Sequence, residues 1–359
     1  MNTTPSLFPS LWLETLAAAG ARLAADASAV LDFGDAEHER ASAESGSVLA
    51  PLADGLLRFE GADGAKLLNG QLSNDIQNLN ETQSVLAGFA TPQGRLRAIV
   101  RAFHHDGALY LQLPAGLVDA VHAEFRKFAP LYRQLKLSVA SGELALLGLS
   151  GPEAEAALTA EFPVLPAEAG CAVAHAGLTL IRLAGVAARF ELIASAQTLA
   201  PVFERLRARL TPIGSPAWEL TEIAAGLPQV YPETAGAYLP LHLNLQLVGG
   251  IHWKKGCYTG QEIIARMHYR STLKRHAYRA HVQSESVPAP GTPLIADGQE
   301  AGSVIRAAAA SGGRVEMLVE LPNDTVRSAV SRLGDANGPI LHIGELPYAL
   351  VASYQSGNA

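Results

Sequence analysis

The chain has 359 residues, 48% of them hydrophobic and 17% charged, with a net charge of −7. The apolar content is ample for a core, and the length exceeds what one compact domain usually holds, so we expect two or three structural units. No Lys- or Arg-rich block is evident, which argues against the electrostatic footprint of a direct nucleic-acid binder.

Cysteine usage and the amino terminus bear on the compartment. The two cysteines, Cys171 and Cys257, can form at most one disulfide, and their spacing is not that of a zinc site. We therefore expect a reducing, cytoplasmic environment. The opening M-N-T-T-P-S-L-F-P-S has no basic n-region, and no apolar run is long enough to span a bilayer. The chain is expected to be neither secreted nor membrane-embedded.

The first predicted element is an amphipathic helix over 11–24. It is followed by D-A-E-H-E-R-A-S-A-E-S-G, residues 35–46, whose charge and Ser/Gly content indicate a connection. We accordingly predict that residues 1–48 form an N-terminal helix and connection. The compact fold is predicted to begin near Leu49.

The next predicted region, 49–270, contains two similar patterns. In the first, a strand over 55–61 and a helix over 63–72 precede three strand-like runs with turns at 92–94 and at Asp106-Gly107, a strong hairpin signal. From Leu117 a helical apolar period leads into another strand, and a similar helix, strand, strand, helix series follows. This favours two related α+β layers over a doubly wound parallel sheet.

After residue 270 the sequence pattern changes to short β-type runs separated by turn residues. We predict a small β-barrel or sandwich over 271–359. The predicted fold class is therefore α+β.

The stretch K-K-G-C-Y-T-G-Q-E, residues 254–262, raises the main chemical question. Thr259 and Glu262 have capping-box spacing before an amphipathic helix, which would place Cys257 two residues before the N-cap. The helix dipole and the neighbouring Lys254 and Lys255 would then favour the thiolate. The alternative is a small buried hydrophobe in a turn. Spacing alone leaves both interpretations open.

Other candidates have equally ordinary alternatives. Trp218 could stack on a planar heterocycle or simply pack in the core. Asn74 and Asp75 could bind a polar ligand or close a helix in a turn. Cys171 lies in an apolar run and is predicted to be core. Five histidines crowd the region near the motif but show no ligand spacing, so we expect solvated or hydrogen-bonding roles and no metal site: His242, His252, His268, His276 and His281.

The run P-L-H-L-N-L-Q-L-V-G-G-I-H-W-K-K-G-C-Y-T-G-Q-E-I-I-A-R, residues 240–266, resembles the signature of the YgfZ-type folate-binding proteins. These proteins are relatives of the glycine-cleavage T-protein, an aminomethyltransferase. The resemblance extends to the segment 57–76, to A-T-P-Q-G-R-L, to the W-x-x-x-x-I-x-A-G-x-P segment and to E-L-P-Y-A-L near the end.

The resemblance implies a T-protein-like ring of two α+β, ferredoxin-like units and a C-terminal antiparallel β-barrel, around a site for tetrahydrofolate or a one-carbon derivative. It also implies a role in assembling or repairing iron–sulfur clusters in client enzymes, including tRNA-thiolating enzymes. The implied partners are folate, iron–sulfur enzymes and cluster-carrier proteins. Direct contact with nucleic acid or a membrane is not expected, and the chain is expected to be a monomer.

The site residues follow from the same match. The signature cysteine falls on Cys257, and Lys255 is its predicted electrostatic support; these two are the predicted catalytic residues. The predicted cofactor-binding residues are Trp218, Asn74, Asp75, Tyr258, Gln261, Glu262 and Arg266.

Departures from the family patterns carry information. Where T-proteins have a pair of aspartates after the G-R turn, this chain has Ala98 and Ile99. Without that carboxylate no group is evident to manage the proton of the folate nitrogen, so glycine-cleavage chemistry is not expected. Ala224, Leu241 and Ser271 also depart from the YgfZ pattern and bear on folate affinity and pose.

Three functions follow as hypotheses. The first is a folate-binding accessory factor of iron–sulfur protein maturation that acts through Cys257 without conventional catalysis. In it folate is a regulator, a one-carbon acceptor or a source of reducing equivalents, and the sequence does not choose among these. The second is a tetrahydrofolate-dependent aminomethyl or one-carbon transferase. The third is a scaffold in which the thiol is dispensable.

Overall fold

The computed structural model describes residues 7–350. Residues 1–6 and 351–359 lie outside the described residues. They include the first residues of the predicted 1–48 region and the last residues of the predicted 271–359 region. They also include part of the amino terminus that was predicted to contain no secretion signal. Two compact units interleave along the chain. Within the described residues, the first comprises the chain up to Leu67, Asn78–Val85 and Arg101–Thr221, and the second comprises Leu68–Gln77, Leu86–Val100 and the part that follows Thr221.

Helices are interspersed among runs of consecutive strands. The helices are α1 Ser10–Ala18, α2 Ala36–Ser45, α3 Gly64–Gln71, α4 Val118–Phe128, α5 Ala154–Leu158, α6 Ala196–Leu206, α7 Ser215–Ala224, α8 Gln261–Arg270 and α9 Asn323–Ser328. The strands before residue 200 are β1 Arg22–Leu23, β2 Val30–Asp32, β3 Val48–Pro51, β4 Asp54–Glu60, β5 Ser84–Ala90, β6 Leu96–His105, β7 Ala108–Pro114, β8 Lys136–Val139, β9 Ala145–Ser150, β10 Ala172–His175, β11 Leu178–Leu183 and β12 Arg189–Ala194. The later strands are β13 Thr211–Pro212, β14 Arg275–Gln283, β15 Pro293–Ala296, β16 Gln299–Ala309, β17 Arg314–Pro322, β18 Ser331–Leu333 and β19 His342–Ile343.

Two of the sheets have related strand orders. One is β5-β6-β7-β4-β8 and the other is β10-β11-β12-β9-β3-β13. In each, one strand, β4 or β9, pairs antiparallel with the last of three consecutive strands, β7 or β12. A helix, α3 or α5, follows that strand in the chain in both cases. The predicted pair of related α+β layers is confirmed.

The hairpin between β6 and β7 also forms as predicted. Asp106 has φ 46° and Gly107 has φ 73°, the positive values that a type I′ turn requires. This turn chemistry is local, which is why the sequence predicts it correctly.

The amino-terminal prediction is wrong in two respects. Helix α1 ends at Ala18, where Gly20 takes φ 90°, and its Trp12 and Leu16 are fully buried in the core of the first unit. Trp12 meets Phe203 edge-on at a ring-centroid distance of 5.3 Å. The compact fold therefore begins well before Leu49.

The predicted connection over 35–46 is in fact helix α2. The Asp35 carboxylate caps it by accepting a hydrogen bond from the His38 N–H at 3.0 Å. Glu39 is buried, and its carboxylate accepts hydrogen bonds from the N–H groups of Phe33 (2.6 Å) and Gly214 (2.9 Å). The Asp35 and Glu39 carboxylates, whose charge made this segment look like a linker, accept hydrogen bonds from main-chain N–H groups within the first unit.

The carboxyl-terminal strands form a curled, antiparallel half-barrel. Their order is β18-β15-β16-β17-β14-β19. Its core contains Ala280, Val282, Met317, Val319 and Leu321, each fully buried. The predicted α+β class with a β-type carboxyl-terminal region is confirmed. Within residues 7–350 no helix combines the length and apolar character that a membrane crossing needs.

Candidate functional site

The Cys257 loop, residues 252–260, places buried and exposed side chains next to one another. Lys255 and Tyr258 are buried, whereas Gly256 and Cys257 between them are exposed. Cys257 is a free thiol. The interpretation of Cys257 as a buried hydrophobe is therefore wrong, and the thiol is open to a reaction partner. Cys171, predicted to be core, is only half-buried.

Lys255 anchors this loop to the end of helix α3. Its Nζ donates hydrogen bonds to the carbonyl oxygens of Asn69 and Leu72, both at 2.6 Å. Carbonyls at a helix carboxyl terminus have no partner within the helix, and a cation there is favourable. Nζ also lies 4.9 Å from the centre of the Tyr258 ring, a cation–π distance. Lys255, which was predicted to support the Cys257 thiol electrostatically, thus donates its hydrogen bonds to main-chain carbonyls.

Burial tunes the ionisation of this anchor. It lowers the pKa of Lys255 to about 8, with the Asp75 carboxylate opposing part of the shift. Burial also raises the pKa of Tyr258 to about 12, so its phenol stays protonated at neutral pH.

A second anchor is formed by the residues just after α3. The Ser73 hydroxyl donates to the Gly250 carbonyl and accepts from the Gly88 N–H at 2.7 Å. The Asn74 amide donates to the carbonyls of Leu86 and Gly249, both at 2.7 Å. Both donors of Asn74, a predicted cofactor-binding residue, are therefore used by the main chain.

Helix α8 forms as predicted, but its predicted capping box is wrong. The helix begins at Gln261, and its N-cap is Gly260, in the left-handed region at φ 84° with no side-chain cap. The Thr259 hydroxyl instead donates to the Gln71 side chain at 3.1 Å. The tertiary partner displaces the local cap because α3 lies within reach of Thr259. Cys257 is accordingly three residues before the N-cap.

Gly260 is a position where a side chain is expected to be destabilising. A Cβ here would lie 2.6 Å from the Thr91 carbonyl oxygen, and the positive φ is itself unfavourable for other residues. We expect Gly260→Ala to lower the free energy of unfolding by about 2 to 4 kcal/mol. The matched control is Gly256→Ala, because a Cβ at Gly256 would have no atom within 4 Å and φ there is not in the left-handed region. Urea denaturation of both variants measures the difference, and equal stabilities would contradict the prediction.

The start of α8 also presents polar groups for a ligand. Within the described residues the Tyr258 hydroxyl has no hydrogen-bond partner, and Glu262 and Arg266 are exposed and form no ion pair. The Gln261 side chain accepts a long hydrogen bond, 3.4 Å, from the Tyr258 N–H. A phenol, a carboxylate and a guanidinium together complement a ligand that carries both amide-type groups and carboxylates.

Trp218 belongs to the first unit and is mostly enclosed. Its side chain, on α7, is 6% exposed and is part of a hydrophobic core cluster. The buried Arg189 guanidinium lies 5.2 Å from the ring centre, and a Cβ added at Gly148 would come within 2.6 Å of the ring. Trp218 packs as core, and the residues around Cys257 belong to the second unit.

Several of the histidines near the motif contact other side chains. His268 stacks on Trp253 at a centroid distance of 3.7 Å, and His276 is hydrogen-bonded through Nδ1 to Asn244 at 2.8 Å. His242 lies 3.3 Å from a Glu320 oxygen. Across residues 7–350 no group of three or more His, Cys, Asp or Glu side chains is arranged to hold a metal ion.

Two departures from the family patterns have clear structural settings. Ala98 and Ile99, at the positions of the T-protein aspartates, are buried apolar residues of strand β6. Glu222, close to Ala224, lies 3.4 Å from the Arg306 guanidinium, which also donates to the Leu227 carbonyl at 2.8 Å.

A buried polar group that supports the second unit was missed by sequence reasoning. Asn244 is fully buried with φ 58°, and its amide donates to the Ala277 carbonyl at 2.8 Å while its oxygen meets His276. An Asn within the apolar run P-L-H-L-N-L was the one available signal. In the same unit the Tyr348 hydroxyl donates to the Gly226 carbonyl at 2.7 Å, which joins the A-G-x-P and E-L-P-Y segments.

Known proteins resemble this chain in sequence and in fold, although no family model matches it. The tRNA-modifying protein YgfZ of Klebsiella pneumoniae is 32% identical over 299 residues, covering 82% of this chain and 90% of that protein. The protein of the same name from Photorhabdus laumondii is 33% identical over 303 residues, with the same coverage of 82% and 90%. The glycine cleavage system aminomethyltransferase T of Bartonella henselae superposes with a TM-score of 0.76 at 18% identity, covering 97% of this chain and 99% of that one, so the two share a fold.

Proposed function

The chain belongs to the YgfZ family of tRNA-modifying proteins, and from this membership we propose that it is a tetrahydrofolate-binding accessory factor for iron–sulfur enzymes. It assists assembly or repair of their clusters, and its clients include enzymes that thiolate tRNA. The observation that carries the proposal is the exposed Cys257 thiol, held between the buried Lys255 and Tyr258.

The setting of Cys257 suits contact with a client. Two hydrogen bonds from Lys255 to α3 fix the loop, so the thiol extends from a rigid base. A thiolate is both a nucleophile and a ligand for iron, which are the two abilities that cluster maturation requires. A free exposed thiol also suits a reducing compartment such as the cytoplasm. In this proposal the working species is a monomer that binds cluster carriers and client enzymes transiently.

The folate part of the proposal rests on the polar groups at the start of α8. A folate has an amide-like pteridine edge and glutamate carboxylates, which Glu262 and Arg266 respectively complement. The protonated Tyr258 phenol adds a donor. When bound, the folate would act as a regulator, accept a one-carbon unit or supply reducing equivalents. Asn74 has its amide donors engaged already, so in this proposal it shapes the site and does not bind the folate amide.

The transferase alternative draws support from the aminomethyltransferase fold alone. The buried Ala98 and Ile99 argue against it, because neither side chain can hold or move a proton. Formation of methylene-tetrahydrofolate from an aminomethylated lipoyl carrier is the direct assay. Robust turnover there would favour the transferase over the accessory factor.

Complementation of a strain that lacks its own factor tests the thiol. We expect Cys257→Ser to fall to the level of the empty vector in tRNA thiolation and in cluster-enzyme activity, because the serine hydroxyl is neither a good nucleophile nor an iron ligand. Cys171→Ser is the matched control and is expected to complement fully, since that thiol is half-buried. Urea denaturation should give both variants the stability of the wild type within about 0.5 kcal/mol.

Full complementation by Cys257→Ser would reject the thiol role and favour the scaffold hypothesis. Trp218→Phe, added to the same series, keeps most of the packed bulk and tests the predicted contribution of Trp218 to folate binding. Binding of tetrahydrofolate by calorimetry then reports the folate role separately from the thiol role.

A further inference from the structure

Positive charge is concentrated around the Cys257 loop. The 24 residues 252–275 hold six Lys or Arg and one Glu, a net charge of +5 in a chain whose net charge is −7. The rest of the chain therefore carries −12. The cations are spaced along a loop and a helix and form no run, which is why the sequence shows no evident basic block.

Most cations of this protein are engaged by other groups, but four of the six in this segment are not. Lys254, Arg266, Arg270 and Lys274, which we call the basic surface, are all exposed and form no ion pair within the described residues. Elsewhere in residues 7–350 the Lys and Arg side chains are engaged by carboxylates, carbonyls or rings, apart from three: Lys66, Arg126 and Arg133. Four of these seven uncommitted cations thus lie within 21 residues of one another.

Helix α8 gives the basic surface part of its geometry. Arg266 and Arg270 are four residues apart, so they share a helix face and are separated by about 6 Å along the axis. Tyr269, also on the helix, is 51% exposed. Lys254 lies three residues before Cys257 on the same loop, and Lys274 follows the helix. Exposed cations therefore flank the exposed thiol on both sides in the chain.

We propose that the basic surface is a docking face for an acidic patch on a partner protein, which it guides onto Cys257. Unpaired exposed cations steer an oppositely charged surface during encounter and raise the association rate. Four charges match a limited acidic patch on a protein. A nucleic acid would extend beyond them and meet the −12 of the remaining chain, which repels it.

The docking face defines the partner chemistry for the thiol of the proposed function and rests on that function only in taking Cys257 as the point of contact. Its test needs neither a client nor folate. The probes are two synthetic decapeptides, one rich in Asp and Glu and one rich in Lys and Arg, each with one Cys carried as a mixed disulfide with thionitrobenzoate. The Cys257 thiolate attacks the peptide sulfur, a protein–peptide disulfide forms, and thionitrobenzoate leaves with the electron pair, so no external oxidant is needed.

The rate of thionitrobenzoate release is measured in a Cys171→Ser background, so that only Cys257 reacts. At about 0.01 M salt, where the Debye length is about 30 Å, we expect the acidic peptide to react at least about tenfold faster than the basic one. At about 1 M salt the Debye length falls to about 3 Å, and the two rates should converge. Equal rates at low salt would overturn the proposal.

Two triple variants separate the local surface from total charge. Lys254→Glu/Arg270→Glu/Lys274→Glu is expected to abolish or invert the preference for the acidic peptide. Lys66→Glu/Arg126→Glu/Arg133→Glu changes the net charge equally at the other three uncommitted cations and should retain the preference. Loss of preference in both would mean that net charge alone governs the rate, which contradicts a docking face.

A further experiment tests whether the basic surface binds a nucleic acid instead of a protein. Fluorescence anisotropy with a single-stranded oligoribonucleotide and an unmodified tRNA transcript should detect no binding at physiological salt. Salt-sensitive RNA binding that the first triple variant removes would overturn the proposal in favour of a nucleic-acid surface. Cys257→Ser could complement in cells while the protein that retains Cys257 still reacts faster with the acidic peptide. In that case the proposed function fails and the docking face stands.

Discussion

Lys255→Met is expected to lower the free energy of unfolding by about 2 to 4 kcal/mol, because one buried and one part-buried carbonyl acceptor would lose their donor. In the wild type these are the oxygens of Asn69 and Leu72, each 2.6 Å from Nζ. Methionine fills a similar volume, so the lost hydrogen bonds dominate over packing. Urea denaturation at pH 7 measures the effect.

The neighbouring lysine supplies the control. Lys254 is exposed and has no ion-pair partner in the part of the chain that the structure describes, so Lys254→Met should change stability by less than about 0.5 kcal/mol. A similar loss for both lysines, or none for Lys255→Met, would contradict the anchoring role.

The same anchor has a pH signature. The pKa of Lys255 is about 8 in the folded chain and returns to the ordinary value of 10.5 on unfolding. Between these pH values the unfolded state binds a proton that the folded state does not, so the stability contributed by this group rises with pH from 8 to 10.5 and is lost again as pH falls to 8. The neutral amine keeps two N–H donors for its two acceptors. The stability difference between wild type and Lys255→Met should therefore widen across this window, and a constant difference would contradict the lowered pKa.

Asn244→Ala is the second large expected effect, with a loss of about 3 to 4 kcal/mol, because alanine would leave the Ala277 carbonyl and His276 Nδ1 without their partner. Asn244 is fully buried, so water cannot readily replace the lost hydrogen bonds. The backbone at φ 58° also suits asparagine better than alanine. Thermal and urea denaturation report the loss.

Asn244→Gly is the matched comparison. Glycine removes the same hydrogen bonds but accepts φ 58° without strain, so it should be less destabilising than Asn244→Ala by about 1 kcal/mol. If the two variants lose equal stability, the backbone contribution is absent. If both retain wild-type stability, the buried polar group does not support this unit.

Local patterns predicted several elements of this fold correctly. The α3 and α4 helices, the strand at β4 and the Asp106-Gly107 hairpin depend on apolar periodicity and on turn residues close together in the chain. The α2 helix was missed because Glu39 gains its stabilising partner from Gly214, 175 residues away. The Thr259 cap failed for the same kind of reason, since its hydroxyl bonds Gln71, 188 residues earlier.

Neighbouring residues were enough to indicate the α+β class, the repeated layers and the family, because residue periods and an unusual motif are local properties of the chain. How the Cys257 loop is used depends instead on the tertiary fold. The fold exposes the thiol, buries Lys255 against carbonyls 183 and 186 residues away, and leaves the flanking cations of the basic surface without ion pairs among the described residues. Burial and hydrogen-bond partners depend on which distant segments meet, and no local pattern encodes that.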